Sequence, residues 1–183
     1  MVVRRSWTNA EAVGAMREFF DHPERKRAAV RALMTELLSP DRFDRRCAAD
    51  VARRISAREP GVLGKYEGVL IDLLTELPLD EWQARGYLIL AAALNARTHK
   101  QCEELAVLVR ALAVDERNAL RAIALEAFAI LAVAEPGMRD EVTALLEHSR
   151  REGTCAMRSR ARRMLPMVLK AEVEARSMHP SRR

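Results

Sequence analysis

Four arginines return along this chain at steps of 39, 36 and 37 residues: Arg46, Arg85, Arg121 and Arg158. Each is followed at i+3 and i+6 by residues that read as packed: Ala49 and Ala52, Leu88 and Ala91, Ala124 and Ala127, Ala161 and Met164. An acid stands five residues before three of the arginines (Asp41, Asp80, Glu116), where it can cap or charge-balance the start of the helix carrying the arginine. Gly153 breaks the pattern at the fourth place. Self-similarity at this period marks stacked helical hairpins, because a single hairpin cannot bury its apolar stripe alone.

The prolines punctuate the repeat. Pro23, Pro60 and Pro136 each suit the first turn of a helix, where a missing N–H leaves no bond unmade. Glu59-Pro60-Gly61 and Glu135-Pro136-Gly137 are one tripeptide two repeats apart, and Asn95-Ala96-Arg97-Thr98 fills the corner between them with Thr98 as the expected cap. Helices are expected over 8–20, 22–39, 41–57, 61–77, 80–96, 99–114, 116–134, 137–151 and 154–174. Apolar stripes at helical spacing run through Phe43, Cys47, Val51 and Ile55; Tyr66, Leu70, Leu73 and Leu77; Cys102, Leu105, Leu108 and Leu112; and Met138, Val142 and Leu145.

Composition agrees with helices and removes several classes of function. Aromatics make up only 4% of the chain against 49% hydrophobic residues overall, so residues that favour strands are scarce. No apolar run approaches the roughly 18 to 20 residues that cross a bilayer, and the start lacks a continuous apolar leader. A cytoplasmic protein without a membrane partner is expected. Cys47, Cys102 and Cys155, an odd number set far apart, read as reduced and buried thiols. Of the net charge of +5, residues from Arg150 onward carry +7 and the preceding residues −2, so basicity belongs to one end.

Acid, arginine and small residues in this order on the first helix of each repeat resemble the HEAT-repeat family, in its HEAT-like or armadillo-like form, over roughly residues 41–170. The resemblance implies an all-α, right-handed α-solenoid of about four hairpins and roughly nine helices. Residues 1–175 would form one repeat domain and 176–183 a basic tail. It further implies that the second helix of each repeat lines a concave binding surface, and that the ladder arginines bind the acid of a neighbouring repeat. Pro166 departs from the pattern and is expected to kink or end the last helix.

Sites of chemistry are sparse. His99 and Cys102 at i, i+3 are the best metal-ligand spacing and have no second pair to complete them; Gly61, Gly64 and Gly68 open a helix rather than joining a strand to one, which is not a phosphate loop. No catalytic, cofactor or metal residues are expected. With the stripe of 61–77 turned inward, its opposite face carries Gly64, Gly68, Ile71, Asp72 and Thr75. Interior helical glycine costs roughly 0.5 to 1 kcal/mol relative to alanine, so either a partner backbone approaches closely there or the helix is tolerated as imperfect. The corresponding faces carry Glu103, Val107 and Arg110, and Asp140, Thr143 and Glu147.

These residues define the expected function, a non-enzymatic scaffold or adaptor whose groove takes a peptide or helix of another protein. A second reading is a nucleic-acid binder using Arg150, Arg151, Arg158, Arg160, Arg162 and Arg163, although no aromatic is interleaved for stacking. A third is a relative of the HEAT-like DNA alkylation-repair glycosylases, which should place aromatics and a carboxylate in the groove. Trp82 reads instead as core of a first helix.

Overall fold

The computed structural model describes residues 14, 16, 17 and 19–178. Trp7, most of the expected helix 8–20 and the tail from residue 179 lie outside the described residues. Among the described residues all regular structure is helical. The chain divides into two compact units, Met1–Asn95 and Ala96–Arg183.

In the first unit residues 14, 16, 17 and 19–21 are helical and a 3-10 turn at Pro23–Arg25 follows, leading into α1 (Lys26–Leu37), α2 (Arg42–Arg58), α3 (Glu67–Glu76) and α4 (Trp82–Asn95). Asp41 caps α2, accepting from the amides of Phe43 at 2.7 Å and Asp44 at 3.2 Å. The most extensive helix pairing of this unit is α2 on α4, with α1 against α2 and α3 against α4. Ala49, Ala52, Leu88 and Ala91, the positions counted from Arg46 and Arg85, are all buried. Alanine at such a contact lets two helices approach closely, because interaxial distance is set by the side chains between them.

Glu59-Pro60-Gly61 does not start a helix as its spacing implies. Gly61 takes φ 88°, a left-handed conformation that side chains resist, and the chain runs through a turn and a 3-10 segment at Gly64–Tyr66 before α3 begins at Glu67. Asn95, the fully buried last residue of α4, holds this segment. Its side-chain oxygen accepts the Leu63 amide at 2.7 Å, and its nitrogen donates to Ser56 Oγ and to the Ala91 carbonyl, both at 2.7 Å. Phe43, expected in the core, is exposed at the start of α2, where the Arg46 guanidinium lies 4.6 Å from its ring centre.

The second unit holds α5 (His99–Ala113), α6 (Asn118–Ala134), a 3-10 turn at Pro136–Met138, α7 (Arg139–Glu152) and α8 (Cys155–Met178). Thr98 caps α5 in a reciprocal box with Gln101. Helix α6 packs against α8 and α5, and α7 against α8. Ala124, Ala127, Ala161 and Met164 are buried. Arg139 closes the C-terminal end of α6, its Nε donating to the Ala132 carbonyl at 3.0 Å and Nη2 to that of Val133 at 3.3 Å. Glu126 on α6 receives both Arg160 Nε at 2.9 Å and Arg163 Nη2 at 2.8 Å from α8.

Two further expectations are corrected here. Helix α8 runs on through Pro166, whose ring is exposed alongside Arg162; the carbonyl four residues back that loses its donor therefore lies on a solvent-facing stretch. Cys155 is exposed at the start of α8 rather than buried, while Cys102 is buried and Cys47 half-buried, with burial pushing the Cys47 thiol up. Gly153 interrupts the acid series for a steric reason, since a Cβ there would stand 2.4 Å from the Ser149 carbonyl oxygen and 2.9 Å from Met157 Cβ.

The ladder arginines do not bind the acids of neighbouring repeats. Arg46 donates to Gln83 Oε1 at 3.0 Å, Arg85 to the Leu77 carbonyl at 2.8 Å and Arg158 to the Gly153 carbonyl at 2.8 Å. Arg121 donates to Asn118 one turn earlier, and its Nε is buried without a hydrogen-bond partner. Pairing across the repeat falls to the neighbouring position, Arg45, which grips Glu81 with two donors and the Ser39 carbonyl at 2.6 Å; the side chains are 17% and 7% exposed. In chemical denaturation Arg45→Ala is expected to cost about 3 kcal/mol, because it leaves Glu81 buried and alone, against less than about 1 kcal/mol for Arg121→Ala. Asn95→Ala, which orphans the Leu63 amide and removes a partner of Ser56, is expected to cost about 2 to 4 kcal/mol.

Candidate functional site

Helix α5 presents His99, Glu103, Val107 and Arg110 at spacings of four, four and three residues, one continuous face of a helix. Glu135, Met138 and Glu141, contributed by the 3-10 turn and the start of α7, stand across from it. Together they line a cleft of about 480 Å³. At one end His99 Nδ1 lies 2.9 Å from Glu135 Oε2 and His99 Nε2 3.2 Å from Glu103 Oε1. At the other, Arg110 grips Glu141 with two donors at 3.3 and 2.9 Å, its guanidinium 5.8 Å from the Phe128 ring centre. Between the two ion-paired ends sits Val107, 64% exposed.

Local sequence explains each placement. The Thr98 capping box fixes where α5 starts and so the rotation of its open face, while Cys102, Leu105, Val109 and Leu112 turn the opposite face inward. Glu135 also accepts the Gly137 amide at 3.2 Å, which holds its carboxylate at the start of the 3-10 turn. The lining contains three glutamates, one arginine and one histidine, and none of these side chains is a hydroxyl or thiol nucleophile. A recess of this kind can receive an apolar side chain at Val107 and attract cationic neighbours towards its acids.

Of the residues read from sequence, the structure brings Glu103, Val107 and Arg110 into this cleft. Asp140 is exposed, Glu147 is half-buried, and Thr143 is half-buried with its Oγ1 enclosed; none of the three lines it. Instead Glu141 is the α7 residue that meets Arg110. In the first unit Gly64 lies in the 3-10 turn, where a Cβ would meet the Asn95 carbonyl at 3.7 Å. Gly68 and Asp72 are exposed one turn apart on α3, and a Cβ on Gly68 would meet nothing within 4 Å. Sequence reading missed His99, Glu135, Met138 and Glu141. A usable signal existed, since His99 to Glu135 spans 36 residues, as does Arg45 to Glu81.

The basic end is largely occupied by its own unit. Arg160 and Arg163 share Glu126, and Arg158 holds the Gly153 carbonyl and lies 3.3 Å from Cys155 Sγ. Arg150, Arg151 and Arg162 are exposed. Trp82 is half-buried beside Arg42, Phe43, Arg46 and Asp80, not in a closed core. Among the described residues no helix is long and apolar enough to cross a membrane. No protein-family model, curated protein or solved structure matches the chain.

Both carboxylates favour protonated His99. The hydrogen bond to Glu135, then the charges of Glu103 and Glu135, raise its pKa above the ordinary 6.5, while His99 and the Gly137 amide hold Glu135 below the ordinary 4.5. The raised histidine contributes stability that is full below the unfolded pKa and is lost as pH rises through the folded one; the lowered glutamate contributes above its unfolded pKa and loses this as pH falls through the folded one. The pair is therefore complete between those two ordinary values. An NMR titration is expected to place His99 above 6.5, with Glu135→Gln moving the midpoint down; equal midpoints in both proteins would mean that the contact does not form in solution.

Proposed function

We propose that this chain is a HEAT-like helical-repeat protein, its hairpins arranged as an α-solenoid, that binds a segment of another protein and performs no reaction of its own. The observation that carries the reading is Val107, an apolar side chain left open between two ion-paired ends of a cleft that is net negative even with His99 protonated. Such a recess suits a short peptide with an aliphatic or aromatic side chain flanked by lysine or arginine. Support for the repeat reading comes from the ladder: in each unit the two arginine-bearing helices pack on one another, and the residues at i+3 and i+6 are buried. The nucleic-acid reading has less support, because Glu126 engages two of the arginines it would use.

Selection of a displayed random-peptide library on the folded protein tests this. Enriched peptides should carry an apolar residue beside basic ones. Val107→Asp should weaken them by about tenfold or more, the scale of one well-placed contact, without lowering the melting temperature. Gly68→Leu tests the open face of α3 separately, because its side chain enters open space: stability should hold or rise by up to ~1 kcal/mol. Peptides that bind the Val107→Asp protein equally well, or no enrichment at all, would contradict the reading.

A further inference from the structure

In the first unit, arginines on α2 have acids within reach: Arg45 grips Glu81, Arg42 lies 3.7 Å from Asp80, and Arg53 and Arg54 share Asp50 at 2.6 and 2.7 Å. One cluster departs from this. Arg27 and Arg31 on α1, together with Lys65 in the Gly64–Tyr66 turn, line a cleft of about 580 Å³ and have no acidic partner among the described residues. A fourth cation, Lys26, lies on the same cleft and is held by Glu59 at 2.5 Å. Arg27 and Arg31 are one helical turn apart, where like charges repel and weaken a helix. Three cations with no acidic partner among the described residues, lining one recess, gain most from an anion that all three reach, and each is exposed enough to turn towards it.

The remaining lining residues narrow the ligand. Val30 is buried, Val62 and Tyr66 are half-buried, and they give the cleft an apolar and aromatic wall beside the charges. Its volume falls within the roughly 300 to 1,000 Å³ of small-molecule sites, and concave apolar surface with a few convergent polar groups is the usual make-up of such a site. Three positive charges match a diphosphate rather than a single carboxylate. We propose that this cleft binds a small organic diphosphate, with Arg27, Arg31 and Lys65 on the phosphoryl oxygens and Val30, Val62 and Tyr66 against the organic group. The site is separate from the α5 cleft and does not depend on it.

Isothermal titration calorimetry of the full chain with ADP and with inorganic pyrophosphate, at about 0.15 M salt where long-range attraction is screened, tests the assignment. One ADP per chain should bind in the sub-millimolar range, and pyrophosphate more weakly, because it offers nothing to the apolar wall. Arg27→Ser with Arg31→Ser should weaken ADP by about tenfold or more, since charge-assisted bonds to two guanidiniums are lost; both side chains are exposed, so the melting temperature should be unchanged. Arg150→Ser with Arg151→Ser, exposed arginines of the second unit, should leave binding unaltered. Equal affinity for ADP and pyrophosphate would overturn the organic part of the assignment. Absence of saturable binding at several millimolar, or binding indifferent to Arg27 and Arg31, would overturn it altogether.

Discussion

Close contact between arginine-bearing helices through alanine is the constraint on which the rest of each unit depends. Ala48, Ala49, Ala52, Ala91 and Ala92 on α2 and α4, and Ala124, Ala127 and Ala161 on α6 and α8, are wholly buried, and these two helix pairs are the most extensive of their units. Interior packing at this density leaves no room for a longer side chain, so these positions fix helix separation and rotation together. Polar contacts then set what the apolar contact leaves free. Asn95 ties the end of α4 to Ser56 and to the Leu63 amide, Arg45 locks Ser39 and Glu81, and Arg139 and Glu126 hold α6 to its neighbours. With the ladder helices fixed, α5 is left with one face inward and one open.

What could be read from sequence was what depends on spacing. The period, the helical class and the burial of residues three and six places after each arginine all follow from periodicity, and the structure buries every one of those eight residues. Caps written in a few adjacent residues were also legible, as at Asp41 and Thr98. Contacts made across the chain were not. Glu59-Pro60-Gly61 and Glu135-Pro136-Gly137 are identical, yet Asn95 draws the first into a left-handed turn, whereas the second runs straight from a 3-10 turn into α7. The arginines were found correctly and paired wrongly, because sequence marks the position of a guanidinium but not which of several nearby carbonyls, amides and carboxylates it reaches.

The same division applies to the site. The open face of α5 follows from its own inward stripe, so Glu103, Val107 and Arg110 were visible in advance. The opposing wall depends on how α7 is rotated against α6 and α8, which the Arg139 cap on Ala132 and Val133 decides. That rotation brings Glu141 to Arg110 and leaves Asp140, Thr143 and Glu147 elsewhere. Charge repeats at the same period carry the missing information: Lys26 with Glu59, Arg45 with Glu81 and His99 with Glu135 lie 33, 36 and 36 residues apart. At the basic end the sequence shows the arginine cluster but not that Arg160 and Arg163 share Glu126.

The claim that alanine contacts hold the units while the α5 face stands free of packing is tested most directly by enlarging one residue of each kind. Chemical denaturation of Ala52→Leu, Ala127→Leu and Val107→Leu makes the comparison. Forcing three extra carbons into either alanine contact should cost about 1 to 3 kcal/mol or more, whereas one added methylene at Val107 should change stability by less than about 0.5 kcal/mol. Alanine variants as stable as the parent, or a Val107→Leu protein destabilised as much as they are, would contradict the account.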